Sequence, residues 1–110
     1  LVNLNVRYWD TSAVTDMSLM FDNCDASDHI RIDTWDISLV ADFTDFMLNH
    51  DGLLTETYDR TLIAWDALNP GNGLTVEFVA STYTAGGAAA TAHASLISGD
   101  SWTLNDGGTA

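Results

Sequence analysis

Basic residues are scarce in this sequence. It has 3 Lys or Arg against 16 Asp or Glu in 110 residues, a formal net charge of -13 at pH 7. A field of this sign repels the phosphates of nucleic acids and the surface of anionic membranes. We therefore expect no nucleic-acid partner, and we expect surroundings in which salt or calcium screens the carboxylates.

Cysteine and long apolar runs are equally scarce. The single Cys24 can form neither a disulfide within the chain nor a cysteine-based metal site. No apolar run approaches the roughly 20 residues that a membrane-spanning helix requires, so we expect no direct membrane insertion. The first residues, Leu1-Val2-Asn3, are neither an initiator methionine nor a signal peptide, and we expect a processed or excised piece.

Catalytic motifs are missing as well. His29, His50 and His93 stand singly, without a nucleophile motif, a zinc-binding His-Glu-x-x-His motif or a phosphate-binding loop. His93 lies among alanines and is expected to be a packed or surface residue. Because carboxylates are so abundant, no single pair of them is diagnostic of glycoside hydrolysis. We therefore expect a protein without enzymatic activity.

What the sequence does contain is apolar residues and an internal repeat. Hydrophobic residues make up 46% of the chain, enough for a globular core, and the length suits one domain. Residues 4–21 return as residues 30–47 at a constant offset of 26. The matched positions include Trp9-Asp10 with Trp35-Asp36, Ser12 with Ser38, Val14 with Val40 and Asp16 with Asp42. This regularity predicts a repeat architecture.

Each repeat is predicted to be a strand, a turn and a short helix. Alternation with polar neighbours predicts the strands at Leu4, Val6, Ile30 and Ile32. Thr15 is placed to cap a helix that begins at Asp16, whose carboxylate suits the positive end of the helix dipole. Asp42 has the same place in the second repeat.

A unit this small cannot bury its apolar face alone, so copies must stack. We expect an α/β fold, a short leucine-rich-repeat-type solenoid with parallel strands and one helix per repeat. The whole chain, 1–110, is predicted to be one domain. Matched repeats occupy 1–26 and 27–52, and divergent carboxyl-terminal repeats and a cap occupy 53–110.

The second half begins with a predicted helix and strand. The helix opens at Thr55 and is stopped by turn residues 69–73. Its apolar face comprises Leu54, Tyr58, Leu62, Trp65 and Leu68. Apolar residues at Leu74, Val76 and Phe78 then predict a strand. Val79 makes this strand apolar on both faces near its end, so we expect it to be central.

A second helix and strand complete the chain. The helix is predicted over 85–97, with an apolar stripe of Ala85, Ala89, Ala92 and Leu96, and Gly99 is placed to end it. The final strand is predicted over 102–104. It matches the strand at 74–76 at an offset of 28, so the second half also repeats a strand and a helix.

Trp9, Asp10, Trp35 and Asp36 are candidate ligand-binding residues. Aromatic faces stack on the apolar faces of sugars, and carboxylates accept hydrogen bonds from sugar hydroxyls. An exposed ladder of these residues would suit glycan recognition. The alternative, which is favoured, is that each Trp packs between repeats while each Asp bonds the backbone of its turn.

Asp22, Asp25 and Asp28 are candidate calcium ligands beside His29. Carboxylate oxygens are the ligands that Ca²⁺ prefers, provided the backbone brings them together. The spacing is not that of an EF-hand, and the turn has no glycine where one is needed. Solvated loop carboxylates are therefore favoured over a calcium site.

The repeat carries a family resemblance. Residues 9–21 read Trp-Asp-Thr-Ser-Ala-Val-Thr-Asp-Met-Ser-Leu-Met-Phe, and residues 35–38 read Trp-Asp-Ile-Ser. These strings resemble the repeat of BspA-like leucine-rich-repeat surface proteins, and residues 54–65 and 102–108 resemble the carboxyl-terminal module that often follows it. The resemblance implies a surface-exposed attachment protein of a cell or a virion tail.

Two functions remain open. The first is a recognition or adhesion module, extracellular or on a cell or virion surface, that binds a cell-surface glycan or protein. The second is a structural cap or subunit-joining module that contacts neighbouring subunits of its own assembly. Fold alone does not decide between them.

Overall fold

The computed structural model describes residues 9–21, 31–47, 52–68 and 71–110. Within these stretches lie two helices and two strands, in the order α1 (Thr55–Asp66), β1 (Thr75–Glu77), α2 (Ala88–Ser98) and β2 (Thr103–Asn105). The two strands pair in parallel, so the predicted α/β class is confirmed.

The described parts of the two matched repeats contain no helix, and the prediction of a helix beginning at Asp16 is wrong. Asp16 forms a parallel bridge with Asp42, and turns follow it. The amides of this segment donate to the other repeat instead: Met17 to Asp42, Leu19 to Thr44 and Phe21 to Phe46, over 2.8, 3.0 and 2.9 Å. Of these amides, a helix would have bonded those of Leu19 and Phe21 internally. Since one isolated helical turn is unstable by itself, bonds that also join two apolar repeats prevail.

The predicted strands at the start of each repeat lie only partly within the described residues. Leu4, Val6 and Ile30 lie outside them. Ile32 is fully buried, but it belongs to no strand. Its carbonyl accepts a hydrogen bond from the amide of Trp35 across a turn, at 3.2 Å. The prediction of a strand at Ile32 is therefore wrong, although its burial is as predicted.

Paired residues are separated by the offsets found in the sequence. Asp16 pairs with Asp42 at the offset of 26 that relates the two matched repeats. In the sheet, β1 and β2 pair at an offset of 28, in the register Thr75 with Thr103, Val76 with Leu104 and Glu77 with Asn105. The backbone thus brings each of these residues back beside its counterpart.

α1 presents the predicted apolar face over its helical residues. The buried residues of this face are Tyr58, Leu62 and Trp65. Leu54, the N-cap residue, and Leu68, which follows the helix, are partly exposed, and the prediction is wrong for these two. Because both lie outside the helix, neither continues its apolar face.

β1 has the predicted alternation. Leu74, Val76 and Phe78 are buried, whereas Thr75 is exposed. β1 has neighbours on two sides, since it pairs with β2 and the carbonyl of Glu77 accepts a hydrogen bond from the amide of Met47 at 3.1 Å. Val79 does not extend the strand as predicted. It adopts a left-handed conformation, with φ of 50°, where the chain turns.

α2 is shorter than predicted. It begins at Ala88 because Gly86 has φ of 74°, outside the helical range, so Ala85 is exposed in a turn. The rest of the predicted stripe, Ala89, Ala92 and Leu96, is buried, and Gly99 is the C-cap residue as predicted. β2 then begins directly after the buried Trp102.

One apolar cluster connects the repeats to the helices and the sheet. Its aromatic rings contact one another from the first repeat to Trp102, directly before β2. The rings in this chain of contacts are those of Phe21, Trp35, Phe46, Trp65, Phe78 and Trp102. Burial of large aromatic side chains dominates the stability of such cores.

Candidate functional site

Trp9 and Trp35 hold equivalent positions in the two repeats but differ in exposure. Trp9 is 53% exposed and Trp35 is 1% exposed. The two indole rings stack with centroids 6.1 Å apart and planes inclined by 10°. Trp35 also stacks on Phe21, at 5.9 Å. Trp35 is therefore a core residue on which the exposed Trp9 stacks. The predicted ladder of two exposed rings is not formed.

Asp10 and Asp36 each close a turn in the same way. Oδ1 of Asp10 accepts hydrogen bonds from the backbone N–H and the hydroxyl of Ser12, at 3.1 and 2.6 Å. Oδ1 of Asp36 accepts the corresponding bonds from Ser38, at 3.0 and 2.6 Å. The favoured alternative, in which each Asp bonds its turn, is thus observed for both residues.

These turns also affect the carboxyl groups electrostatically. The hydroxyl and then the backbone N–H of Ser12 lower the pKa of Asp10 below its ordinary value. Ser38 lowers the pKa of Asp36 in the same way, and the charge of Asp10 opposes this shift weakly. Both groups are therefore ionised at neutral pH, and they lie close enough to repel each other.

A second pair of turns follows in each repeat. Oδ1 of Asp16 accepts a hydrogen bond from the N–H of Ser18, and Oδ1 of Asp42 accepts one from the N–H of Thr44, each at 2.8 Å. The sequence contained a signal for them, because Asp is followed by Ser or Thr two residues later at all four positions. At the offset of 26, the backbones of Asp16 and Asp42 pair in a parallel bridge, so these two turns lie next to each other.

The described part of the site thus combines one exposed indole with neighbouring ionised carboxylates. An indole face can stack on a sugar or on a cation, and the carboxylates can accept hydrogen bonds or pair with positive charge. The binding roles predicted for Trp9, Asp10, Trp35 and Asp36 stay predictions. Of the four, Trp35 can act only through its stacking on Trp9.

The predicted calcium ligands Asp22, Asp25 and Asp28 lie outside the described residues, as does His29. Within the described stretches, no group of three or more His, Cys, Asp or Glu side chains is arranged to hold a metal ion. The calcium site therefore stays a prediction.

A buried polar network that the sequence did not indicate centres on Asp106. Its Oδ2 accepts a hydrogen bond from the hydroxyl of Tyr58 at 2.5 Å and lies 2.8 Å from Nε2 of His93. Its Oδ1 accepts a bond from the N–H of Gly108 at 2.9 Å. The side chains of His93 and Asp106 are 13% and 7% exposed. With Asp106 as a carboxylate, Nε2 of His93 is the donor.

This network joins α1, α2 and the turn after β2. Tyr83 adds to it by stacking on His93, with ring centroids 4.1 Å apart. Burial, then the hydrogen bond to Asp106 and its negative charge, raise the pKa of Tyr58 above the ordinary value. His93 is therefore packed, which is one of the two environments expected for it, and the network's evident role is to fasten three segments together.

In the part of the chain that the structure describes, neither helix combines the length and apolar character needed to cross a membrane. No curated protein and no solved structure shows a significant match to the chain. A family described as Mycoplasma protein of unknown function, DUF285, matches residues 1–72. This match takes in both matched repeats, α1 and the turn that follows it, and it covers well over half of the 110 residues. The chain therefore belongs to the DUF285 family.

Proposed function

We propose that the chain is a non-enzymatic recognition or adhesion module of a BspA-like leucine-rich-repeat surface protein, exposed on a cell or virion surface. Its partner in this proposal is a cell-surface glycan or protein. The resemblance of residues 9–21 to the BspA-like repeat supports it, and so does membership of the DUF285 family.

The proposed architecture is a short leucine-rich-repeat-type solenoid. The observation that carries the proposal is that residues paired in the structure are separated by the repeat offsets of the sequence. The separation is 26 for Asp16 and Asp42, and it is 28 for the residues paired between β1 and β2. When paired residues are one repeat apart, equivalent side chains of successive repeats lie above one another. Repeats stacked in this way present extended surfaces that suit binding to large partners.

The proposed binding face is the exposed side of the first repeat, around Trp9 and Asp10. One face of Trp9 stacks on Trp35, and Asp10 is bonded to Ser12, so both side chains have partners that favour one orientation. A side chain that is already fixed before binding loses little entropy on binding.

The test is binding of the fluorescently labelled chain to intact candidate target cells, at low and high salt, with calcium and with chelator. The proposal predicts saturable binding that weakens in Trp9→Ala and persists in Ile97→Ala, which removes an exposed apolar side chain on α2. Loss of binding in chelator would support the calcium prediction for Asp22, Asp25 and Asp28. A folded chain that binds none of the cells would contradict the proposal.

The second candidate is a structural cap or subunit-joining module. The Asp106 network favours it. Through Asp106, Tyr58 of α1 and His93 of α2 are bonded to the turn after β2, so the carboxyl-terminal segment is fastened to both helices as a cap would be. This candidate predicts tight binding to neighbouring subunits and none to cells. Sedimentation of the chain with the purified parent assembly separates the two.

A further inference from the structure

We infer that the exposed face of Trp9, together with the carboxylates of Asp10 and Asp36, docks a cationic peptide segment of a partner protein. This inference rests on the proposed recognition function and names the chemical class of its partner. It is carried by an exposed aromatic ring and by the charge around it.

The aromatic part of the surface is Trp9. Of the four tryptophans, all of which lie in described stretches, the other three are 1% or 2% exposed, whereas Trp9 is 53% exposed. Its ring stacks on Trp35 at 6.1 Å and so leaves much of its area in contact with solvent. The face of an indole attracts cations, arginine guanidinium and lysine ammonium groups above all.

The charge around the ring has the matching sign. Asp10 is adjacent in the chain, and Asp36 lies beside the same turn, because the hydroxyl of Thr11 donates a hydrogen bond to the backbone carbonyl of Asp36 at 3.0 Å. Hydrogen bonds from Ser12 and Ser38 stabilise the ionised form of both carboxyl groups. Each of these bonds uses Oδ1, and an ionised carboxylate has further acceptor capacity for an incoming donor.

Both arginines of the described residues are paired with a carboxylate close to them in the sequence. Arg31 lies 2.8 Å from Asp33, and Arg60 lies 3.0 Å from Glu56 on α1. With a net charge of -13, the chain attracts cations over long range and repels anions. Charge complementarity therefore favours a peptide rich in Lys or Arg over an acidic peptide or an acidic glycan.

The experiment is titration of the full chain with hexalysine, with hexaglutamate and with the neutral sugar maltohexaose. Trp emission reports on the site, because Trp9 is the exposed one of the four indoles. Hexalysine should change the emission saturably, while hexaglutamate and maltohexaose should not. Raising the salt from about 0.05 to 0.5 M should weaken hexalysine binding strongly, because the Debye length shortens.

Variants localise the binding, since hexalysine could adhere to any acidic surface. Calorimetry should show affinity reduced about three- to fivefold in Trp9→Ala, which removes a cation–π contact, and less in Trp9→Phe. The double variant Asp10→Asn with Asp36→Asn should also bind more weakly. Glu56→Gln with Asp66→Asn, which also removes two negative charges but on α1, is the matched control and should bind nearly as the unchanged chain does.

The possible outcomes separate this inference from the proposed function. If hexalysine binds equally well to all variants, or if only maltohexaose changes the Trp emission, the cationic docking site is excluded even when the chain binds cells. If hexalysine binding depends on Trp9 and Asp10 while no cells are bound, the site is supported and the adhesion proposal fails.

Discussion

The indole N–H of Trp65 donates a buried hydrogen bond to the backbone carbonyl of Ile32, over 3.0 Å. Trp65 belongs to α1, and Ile32 belongs to the second repeat, so the bond joins the regular and the divergent halves of the chain. Both residues are at most 1% exposed. The same carbonyl also accepts the bond from the amide of Trp35, so removal of the indole N–H would cost it one of two donors.

Trp65→Phe should therefore destabilise the chain by about 2 to 4 kcal/mol, because it removes the donor and also leaves a small cavity. Urea denaturation followed by circular dichroism measures this change. Ile63→Val, at an exposed position of the same helix, should change the free energy of unfolding by less than about 0.5 kcal/mol. Equal stabilities of the two variants would show that the Trp65 bond contributes nothing.

The Tyr58 phenol gives a prediction at alkaline pH. Its pKa is raised above the ordinary 10.0 by burial and by Asp106. A raised pKa in the folded state contributes stability that is fully present below pH 10.0 and is lost as the pH rises beyond it. Tyr58 should therefore contribute no phenolate absorbance until the chain unfolds, and the chain should lose stability above about pH 10.

Tyr58→Phe is the variant for this measurement. It should lower stability at neutral pH by about 1.5 to 3 kcal/mol, because a bond to a charged acceptor is lost. It should also make the unfolding free energy less dependent on pH in the alkaline range. An alkaline titration curve for Tyr58→Phe with the same slope as that of the unchanged chain would contradict the assignment.

The turns closed by Asp give a prediction at acidic pH. Ser12, Ser18 and Ser38 hold the pKa of Asp10, Asp16 and Asp36 below the ordinary 3.8. A lowered pKa in the folded state contributes stability that is present above pH 3.8 and is lost as the pH falls through the lower, folded value. Acid unfolding below pH 3.8 should therefore be partly due to these three carboxyl groups.

Two substitutions of Asp36 separate the acceptor from the charge. Asp36→Asn keeps a side-chain oxygen for Ser38 and should flatten the acid dependence while leaving neutral stability nearly unchanged. Asp36→Ala removes the acceptor and should destabilise the chain at neutral pH as well. Thermal melts at several pH values measure both effects, and Glu56→Gln controls for the loss of one negative charge.

The sequence predicted what is periodic, and it missed what depends on three-dimensional contacts. The offsets of 26 and 28 anticipated the pairing of Asp16 with Asp42 and of β1 with β2, because one repeat returns the backbone beside its counterpart. The apolar faces of α1 and α2 were likewise predicted over their helical residues. The failure at Asp16 has a physical cause. An Asp followed by Ser suits a helix start and a closed turn equally well, and only bonds to the other repeat decide between them.

The candidate site was less predictable from the sequence. Trp9 and Trp35 are equivalent in the repeat, yet one is exposed and the other buried, and periodicity carries no information on which neighbours cover a ring. The Asp106 network could not be predicted from the sequence for a related reason. Asp106 lies 48 residues from Tyr58 and 13 from His93, and neither separation corresponds to a helical or repeat spacing.

Backbone strain differs between equivalent positions of the two repeats. Leu19 and Asp45 are related by the same offset of 26, and both have positive φ, 58° and 53°. Asp tolerates this left-handed conformation, whereas for Leu it costs roughly 1 kcal/mol or more. Leu19 is 54% exposed, so its side chain contributes little burial in return.

Leu19→Asn should therefore raise the free energy of unfolding by about 0.5 to 1 kcal/mol, because Asn accepts the left-handed conformation more readily. Leu39→Asn is the matched control. Leu39 is 58% exposed but has no positive φ, so its replacement should bring no gain. Urea denaturation of both variants makes the comparison. If Leu19→Asn is no more stable than Leu39→Asn, the left-handed conformation of Leu19 stores no measurable strain.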